Sequence, residues 1–174
     1  MFRRGDRGGD KPGPNVYQMK QQMLSIGDDF WIENGAGERV FKVDGKVLRI
    51  RKTLHLQDAA GNDRYLIKEK LVTVREVMTI ETEAGPVATV KKALISPLRE
   101  RYNVELAAGG EWKVQGNIVD HQYEIEGPAG KIAEVAKKWF RVRDTYGVQI
   151  APGQDDALVL AVTIVVDTMS HPTR

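Results

Sequence analysis

The residues best able to move a proton or hold a transition metal in this chain are three histidines: His55, three residues before Asp58; His121, directly after Asp120; and His171, close to the last residue. A hydrolase would need one of them beside an acid and a nucleophile, and the serines on offer are Ser25, Ser96 and Ser170. No Gly-x-Ser-x-Gly elbow holds any of these serines, and the histidines lack a recognisable ligand spacing. There is also no glycine loop of the P-loop or dinucleotide kind. With no cysteine, thiolate nucleophiles, cysteine metal sites and disulfides are excluded. His55 lies between Leu54 and Leu56, so on a strand it points away from their face. Asp120 and His121, read as a strand entry, point to opposite faces. The expectation is a protein without catalysis, metal or cofactor.

Cations give a stronger pattern. In KVLRIRK, Lys46 to Lys52, Arg49 and Arg51 flank Ile50 and project from one strand face, where two guanidiniums hold phosphate bidentately. Lys46, Arg49, Arg51 and Lys52 are therefore the candidate anion site. The competing reading is a solvated outer face with acidic neighbours. Lys91 with Lys92, Arg99 with Arg101, and the group Lys137, Lys138, Arg141 and Arg143 are alternative basic sites. A net charge of +2 is too small to call for a general polyanion partner, so nucleic acid is not expected. Trp31, Trp112 and Trp139 could stack on bases or sugars, but two of the three are expected in a core. An outward Trp139 or Phe140, between Lys138 and Arg141, would suit a membrane interface.

The elements that must position these residues repeat. FWIENGAGERVFKV, LHLQDAAGNDRYLIK, MTIETEAGPVATVKK and YEIEGPAGKIAEVAKK each centre on an Ala-Gly pair ending at Gly37, Gly61, Gly85 or Gly130. Seven and five residues before each glycine stand Phe30 and Ile32, Leu54 and Leu56, Met78 and Ile80, or Tyr123 and Ile125, the period-two spacing of a half-buried strand. Beyond the glycine the apolar positions resume at Phe41 and Val43, Tyr65 and Ile67, Ala88 and Val90, or Ala133 and Val135, the last two pairs one residue earlier. Each unit reads as a hairpin, with two loop lengths or an added bulge. Further strands are expected at Lys46 to Ile50, Val72 to Arg75, Asn103 to Leu106, Glu111 to Val114, Trp139 to Val142 and Thr145 to Ile150. About a dozen short strands argue for an antiparallel sandwich or barrel. Gly109-Gly110, Pro128 and Pro152 fit turns, with Pro97 in a longer connection.

Residues 1–15, rich in Gly, Pro, Arg and Asp, read as a disordered tail; 16–169 form one domain and 170–174 a short end. The basic start is followed by no apolar signal core, so a cytoplasmic location is expected. In DDALVLAVTIVVD the apolar run Ala157 to Val166 would make a helix of roughly 15 Å, about half a bilayer core, so it is not a membrane span. Local rules leave helix and strand evenly matched: valines favour the strand, and Asp155 or Asp156 could cap a helix. Either way it must be enclosed.

From Tyr17 to Lys46, through LHLQDAAGNDRYLIKEK and RVRDTYGVQI to DDALVLAVTIVVD, the chain resembles the LURP-one-related family, a branch of the tubby C-terminal-like superfamily that is also similar to phospholipid scramblases. The resemblance covers residues 17–169. It implies a twelve-stranded antiparallel barrel around a C-terminal hydrophobic helix at about 156–167. Plant members of the family look like defence-associated proteins, and its relatives include phosphoinositide-binding tubby domains and lipid-acting scramblases. The function it implies is a non-enzymatic module binding anionic phospholipid headgroups at a membrane surface, or else a protein-interaction scaffold. Unlike the scramblase pattern, this chain has no cysteine cluster.

Overall fold

The computed structural model describes residues 15–21, 29–47, 52–70, 76–93, 101–140 and 142–171. Twelve strands run in chain order: β1 (Val16–Lys20), β2 (Phe30–Asn34), β3 (Arg39–Val47), β4 (Lys52–Asp58), β5 (Asp63–Lys70), β6 (Val77–Thr82), β7 (Gly85–Lys92), β8 (Arg101–Leu106), β9 (Glu111–Asn117), β10 (Gln122–Gly127), β11 (Gly130–Ala136) and β12 (Thr145–Ile150), followed by helix α1 (Asp156–Ser170). Each strand pairs antiparallel with its neighbours in sequence, and β1 closes the barrel on β12, from Val16 opposite Gln149 to Lys20 opposite Thr145. Closure leaves no edge strand among the described residues to template aggregation.

The expected alternation is realised. Phe30, Ile32, Leu54, Leu56, Met78, Ile80, Tyr123 and Ile125 are all buried, as are Val43, Tyr65, Ile67, Ala88, Val90, Ala133 and Val135. Phe41 is only half-buried, against the ring of Tyr17. All four hairpins shift register at the same place, after Ile32, Leu56, Ile80 and Ile125, so the one-residue difference between them comes from loop length. In the two longer loops the strand-ending side chain braces the turn: Asn34 Oδ1 accepts from the backbone of Ala36 and Glu38, and Asp58 Oδ1 from that of Ala60 and Asn62. The turn glycines Gly37 and Gly61 sit at φ of 80° and 90°, which costs glycine little.

Two strand expectations need correction. Val16–Lys20 was not among the expected strands, yet it closes the barrel. The strand expected at Trp139 to Val142 is not found at Trp139, Phe140 or Val142: Trp139 and Phe140 belong to the connection between β11 and β12 and lie together over Gly147 on the outside of β12, and Arg141 lies outside the described residues. Lys46 and Val47 continue β3, whereas Leu48 to Ile50, Val72 to Arg75 and Pro97 lie outside the described residues.

The apolar run is a helix three residues longer than expected, about 22 Å, and buried from Ala157 to Met169. Asp155 caps it by accepting the Leu158 N–H at 3.1 Å. The two first-turn acids are also held by the wall, Asp155 by the Tyr65 hydroxyl at 2.5 Å and Asp156 by the Tyr17 hydroxyl. Inside, Thr163 donates its hydroxyl to the Val159 carbonyl, which satisfies that group within the helix itself. Burial of each large side chain contributes roughly 1.5 to 3 kcal/mol as an upper estimate. Among the described residues, no helix is long and apolar enough to cross a membrane.

Strand alternation makes the two barrel ends different. One end carries the tight glycine hairpins and the start of α1. The other carries the connections β1–β2, β3–β4, β5–β6, β7–β8, β9–β10 and β11–β12 and the end of α1.

Candidate functional site

Chemistry-bearing side chains converge where α1 ends. His121 occupies the turn between β9 and β10 with φ of 54°, a region histidine enters more readily than most residues, and its N–H donates to the Ile118 carbonyl at 3.1 Å. That backbone turns the imidazole into the barrel, where it is 2% exposed, and leaves Asp120 outside to bond Asn117. The opposite facing of Asp120 and His121 was expected, but it arises in a turn and not in a strand entry. His121 Nε2 lies 2.7 Å from Asp167 Oδ1, and His171, just past the helix, brings Nδ1 to 3.3 Å from the same oxygen. The imidazoles of His121 and His171 stack parallel at 5.1 Å, and the Tyr146 ring stacks on His121 at 4.3 Å.

Burial alone would raise the Asp167 carboxyl, but hydrogen bonds and charge from both histidines outweigh it and hold the group below the usual carboxylate value. The hydrogen bond to Asp167 raises His171, partly countered by burial and helped by a hydrogen bond to the Val119 backbone. Tyr123 and Tyr146 are pushed well above the ordinary phenol value, first by burial and then by the Asp167 charge. Tyr102, Tyr123 and Tyr146 are each the second residue of a strand entering from this end, so alternate strands line it with phenols.

The arrangement is not a hydrolytic triad. Ser170 Oγ lies 3.0 Å from His171 Nδ1, the same nitrogen that faces Asp167, whereas a relay needs acid and nucleophile on opposite ring nitrogens; the hydroxyl also donates to the Val166 carbonyl. Ser25 and Ser96 lie outside the described residues. His55 does point away from the core, but its partner is Asp63 at 3.2 Å and not Asp58, which is occupied by its own turn. The cluster was invisible to motif reading because its members are 46 and 4 residues apart and come from a turn, a helix and its cap. The one available signal was a carboxylate closing an apolar run.

Basic residues surround this end. Of the candidate anion site, Lys46 and Lys52 occupy paired backbone positions opposite Thr53 and Val47, while Arg49 and Arg51 lie outside the described residues, as do Arg99 and Arg141. The topology brings Lys91, Lys92, Arg101, Lys137, Lys138 and Arg143 to the same end, so the separate basic groups of the sequence become one. Among described residues in the connections and the two flanking positions of each element, this end carries ten Lys and Arg against five Asp and Glu. The hairpin end carries three against eleven. Some cations are paired, Lys91 with Glu105 at 2.9 Å and Lys138 with Glu134 at 2.8 Å. The large hydrophobics standing exposed among the described residues, Val119 and Val142, are on this basic end too, 55% and 60% exposed.

The tryptophans divide otherwise than expected. Only Trp112 is in the core; Trp31 is half-buried under Arg39 at 5.4 Å, and Trp139, half-buried, carries Lys138 at 4.8 Å over its ring. A groove of about 620 Å³ runs along the outside of β8 to β11, but Arg101 and Lys138 face Glu124 and Glu134 there, so it offers no net pull on an anion.

Known proteins bear on this architecture in three ways. No curated protein matches the chain. An X-ray structure of a protein from Arabidopsis thaliana is similar in fold, with a TM-score of 0.64 at 15% identity over 92% of this chain and 95% of that one. The family model described as LURP-one-related matches residues 15–167, nearly the whole barrel and its helix, and the chain therefore belongs to the LURP-one-related family.

Proposed function

We propose that the chain is a non-enzymatic module that binds anionic phospholipid at a membrane surface through the basic end of its barrel. One observation carries the reading: exposed valines and clustered cations coincide at that end while the opposite end is acidic. Basic residues near an anionic leaflet contribute about 1 kcal/mol each, and apolar loop tips that reach the headgroup region add burial. Trp139 under Lys138, in the same connection as Val142, has the amphipathic character of an interfacial anchor. The acidic end would orient the barrel by repulsion. Both end charges act on encounter rate and direction as well as on affinity.

Co-sedimentation with liposomes of graded anionic content tests this, at low and physiological salt, beside an Arg49→Glu/Arg51→Glu variant and a Val119→Asp/Val142→Asp variant. Saturable binding that needs anionic lipid, weakens with salt and drops at least about tenfold in the arginine variant is the expected result, two charge reversals removing upwards of about 2 kcal/mol. Absence of binding at low salt, where attraction is strongest, would leave a protein-interaction scaffold as the better description.

A further inference from the structure

We propose that His121, Asp167 and His171 form a binding site for one divalent transition-metal ion of the zinc type. Three donor atoms, His121 Nε2, an Asp167 carboxylate oxygen and His171 Nδ1, all lie within 4.8 Å of one another. Two imidazoles and a carboxylate without sulfur suit zinc, cobalt or nickel, whereas calcium and magnesium take oxygen shells this site does not have. Bonds of about 2.0–2.1 Å set tetrahedral donors roughly 3.3 Å apart. The pairs here stand at 2.7 and 3.3 Å, both histidines already aimed at one carboxylate oxygen. The remaining adjustment falls on a turn residue and on a residue just beyond the helix, the two members least fixed by secondary structure.

An outer contact is in place at His171, whereas Nδ1 of His121 is buried without a hydrogen-bond partner. Backbone hydrogen bonding to Val119 supports the His171 ring, the kind of contact that orients ligating imidazoles. The stacked Tyr146 ring helps fix the plane of His121. A carboxylate 4% exposed near the negative end of a helix is costly, and an apolar residue would pack there at no such penalty. Three protein ligands leave one position open, on the side of the half-buried His171, for water or an anionic oxygen. The inference does not rest on lipid binding: it concerns the cluster inside the rim, and its test contains no membrane.

The full chain, stripped with a chelator, is titrated with CoCl2 and ZnCl2 beside His171→Ala and Asp167→Asn variants. One equivalent of cobalt giving a visible absorption band of four-coordinate strength, and zinc raising the unfolding temperature while magnesium and calcium do not, are expected. His171→Ala, a change at the periphery, should keep the native circular dichroism spectrum and bind at least about tenfold more weakly. Neither a band nor a thermal shift at millimolar metal would overturn the proposal. So would binding of unchanged strength in His171→Ala, which would place the ion elsewhere, for instance at His55 and Asp63. If Asp167→Asn fails to fold, the His171 variant carries the test alone.

Discussion

Asp167 does two things that no neighbour in sequence explains: it is buried as a carboxylate, and it ties a turn 46 residues away to the end of the helix. Its pairing has a defined pH window in the metal-free protein. The folded-state value of His171 lies above its ordinary 6.5, so its contribution is complete below that value and fades as pH rises through the raised one. Asp167 lies below its ordinary 3.8, so its contribution is present above that value and fades as pH falls. Urea unfolding with chelator present should show the largest contribution between about pH 4 and 6.5 and a decline above it, a decline that Asp167→Asn should flatten. At the other end of the helix, Tyr65→Phe removes the hydroxyl on the cap residue Asp155 and should lower stability by about 1 kcal/mol in the same assay. These residue-scale features were the least legible in sequence. His121, Asp167 and His171 share no spacing, and the positive φ that turns His121 inward leaves no mark except its place in a short turn.

Elements were far easier to read, because hairpin and core obey short-range rules. The four Ala-Gly units showed their glycine turns and their inward positions directly, and the difference in loop length was visible as a one-residue offset. Two misreadings share a cause: in both, contacts distant in sequence decide. Val16–Lys20 is a strand because β12 and β2 are there to pair with it, and Trp139 with Phe140 is a lid because Gly147 leaves room. A methyl group at Gly147 would stand 2.7 Å from the Trp139 ring and 3.0 Å from that of Phe140. Gly147→Ala should therefore cost about 1–3 kcal/mol by overpacking and loosen the lid, read as a change in tryptophan fluorescence together with the denaturation midpoint. Local rules left strand and helix evenly matched for the apolar run and enclosure suited either; the family resemblance implied the helix, and α1 is one. Leu160→Ala, at a fully buried position of α1, should lower stability by 2–5 kcal/mol, measured by chemical denaturation.

At the scale of the molecule, the modest net charge hides a separation of charge along the barrel axis. Alternating strand direction sends the acids of the tight hairpins to one end and the cations of the long connections to the other, so composition alone reads as neutral while the folded chain is polarised. The sequence contained every one of these residues; what it lacked was the topology that sorts them. Salt should weaken any anionic-surface binding steeply, since the cations act together over distances comparable to the screening length. The absence of native cysteine permits a direct test of orientation. A single cysteine replaces Val142 at the basic end or Ala84 in a hairpin at the acidic end, each labelled with an environment-sensitive fluorophore, and anionic liposomes are added. A blue shift at position 142 and none at 84 is the predicted result. A shift at 84, or none at either site under conditions where the protein sediments with the vesicles, would contradict the account.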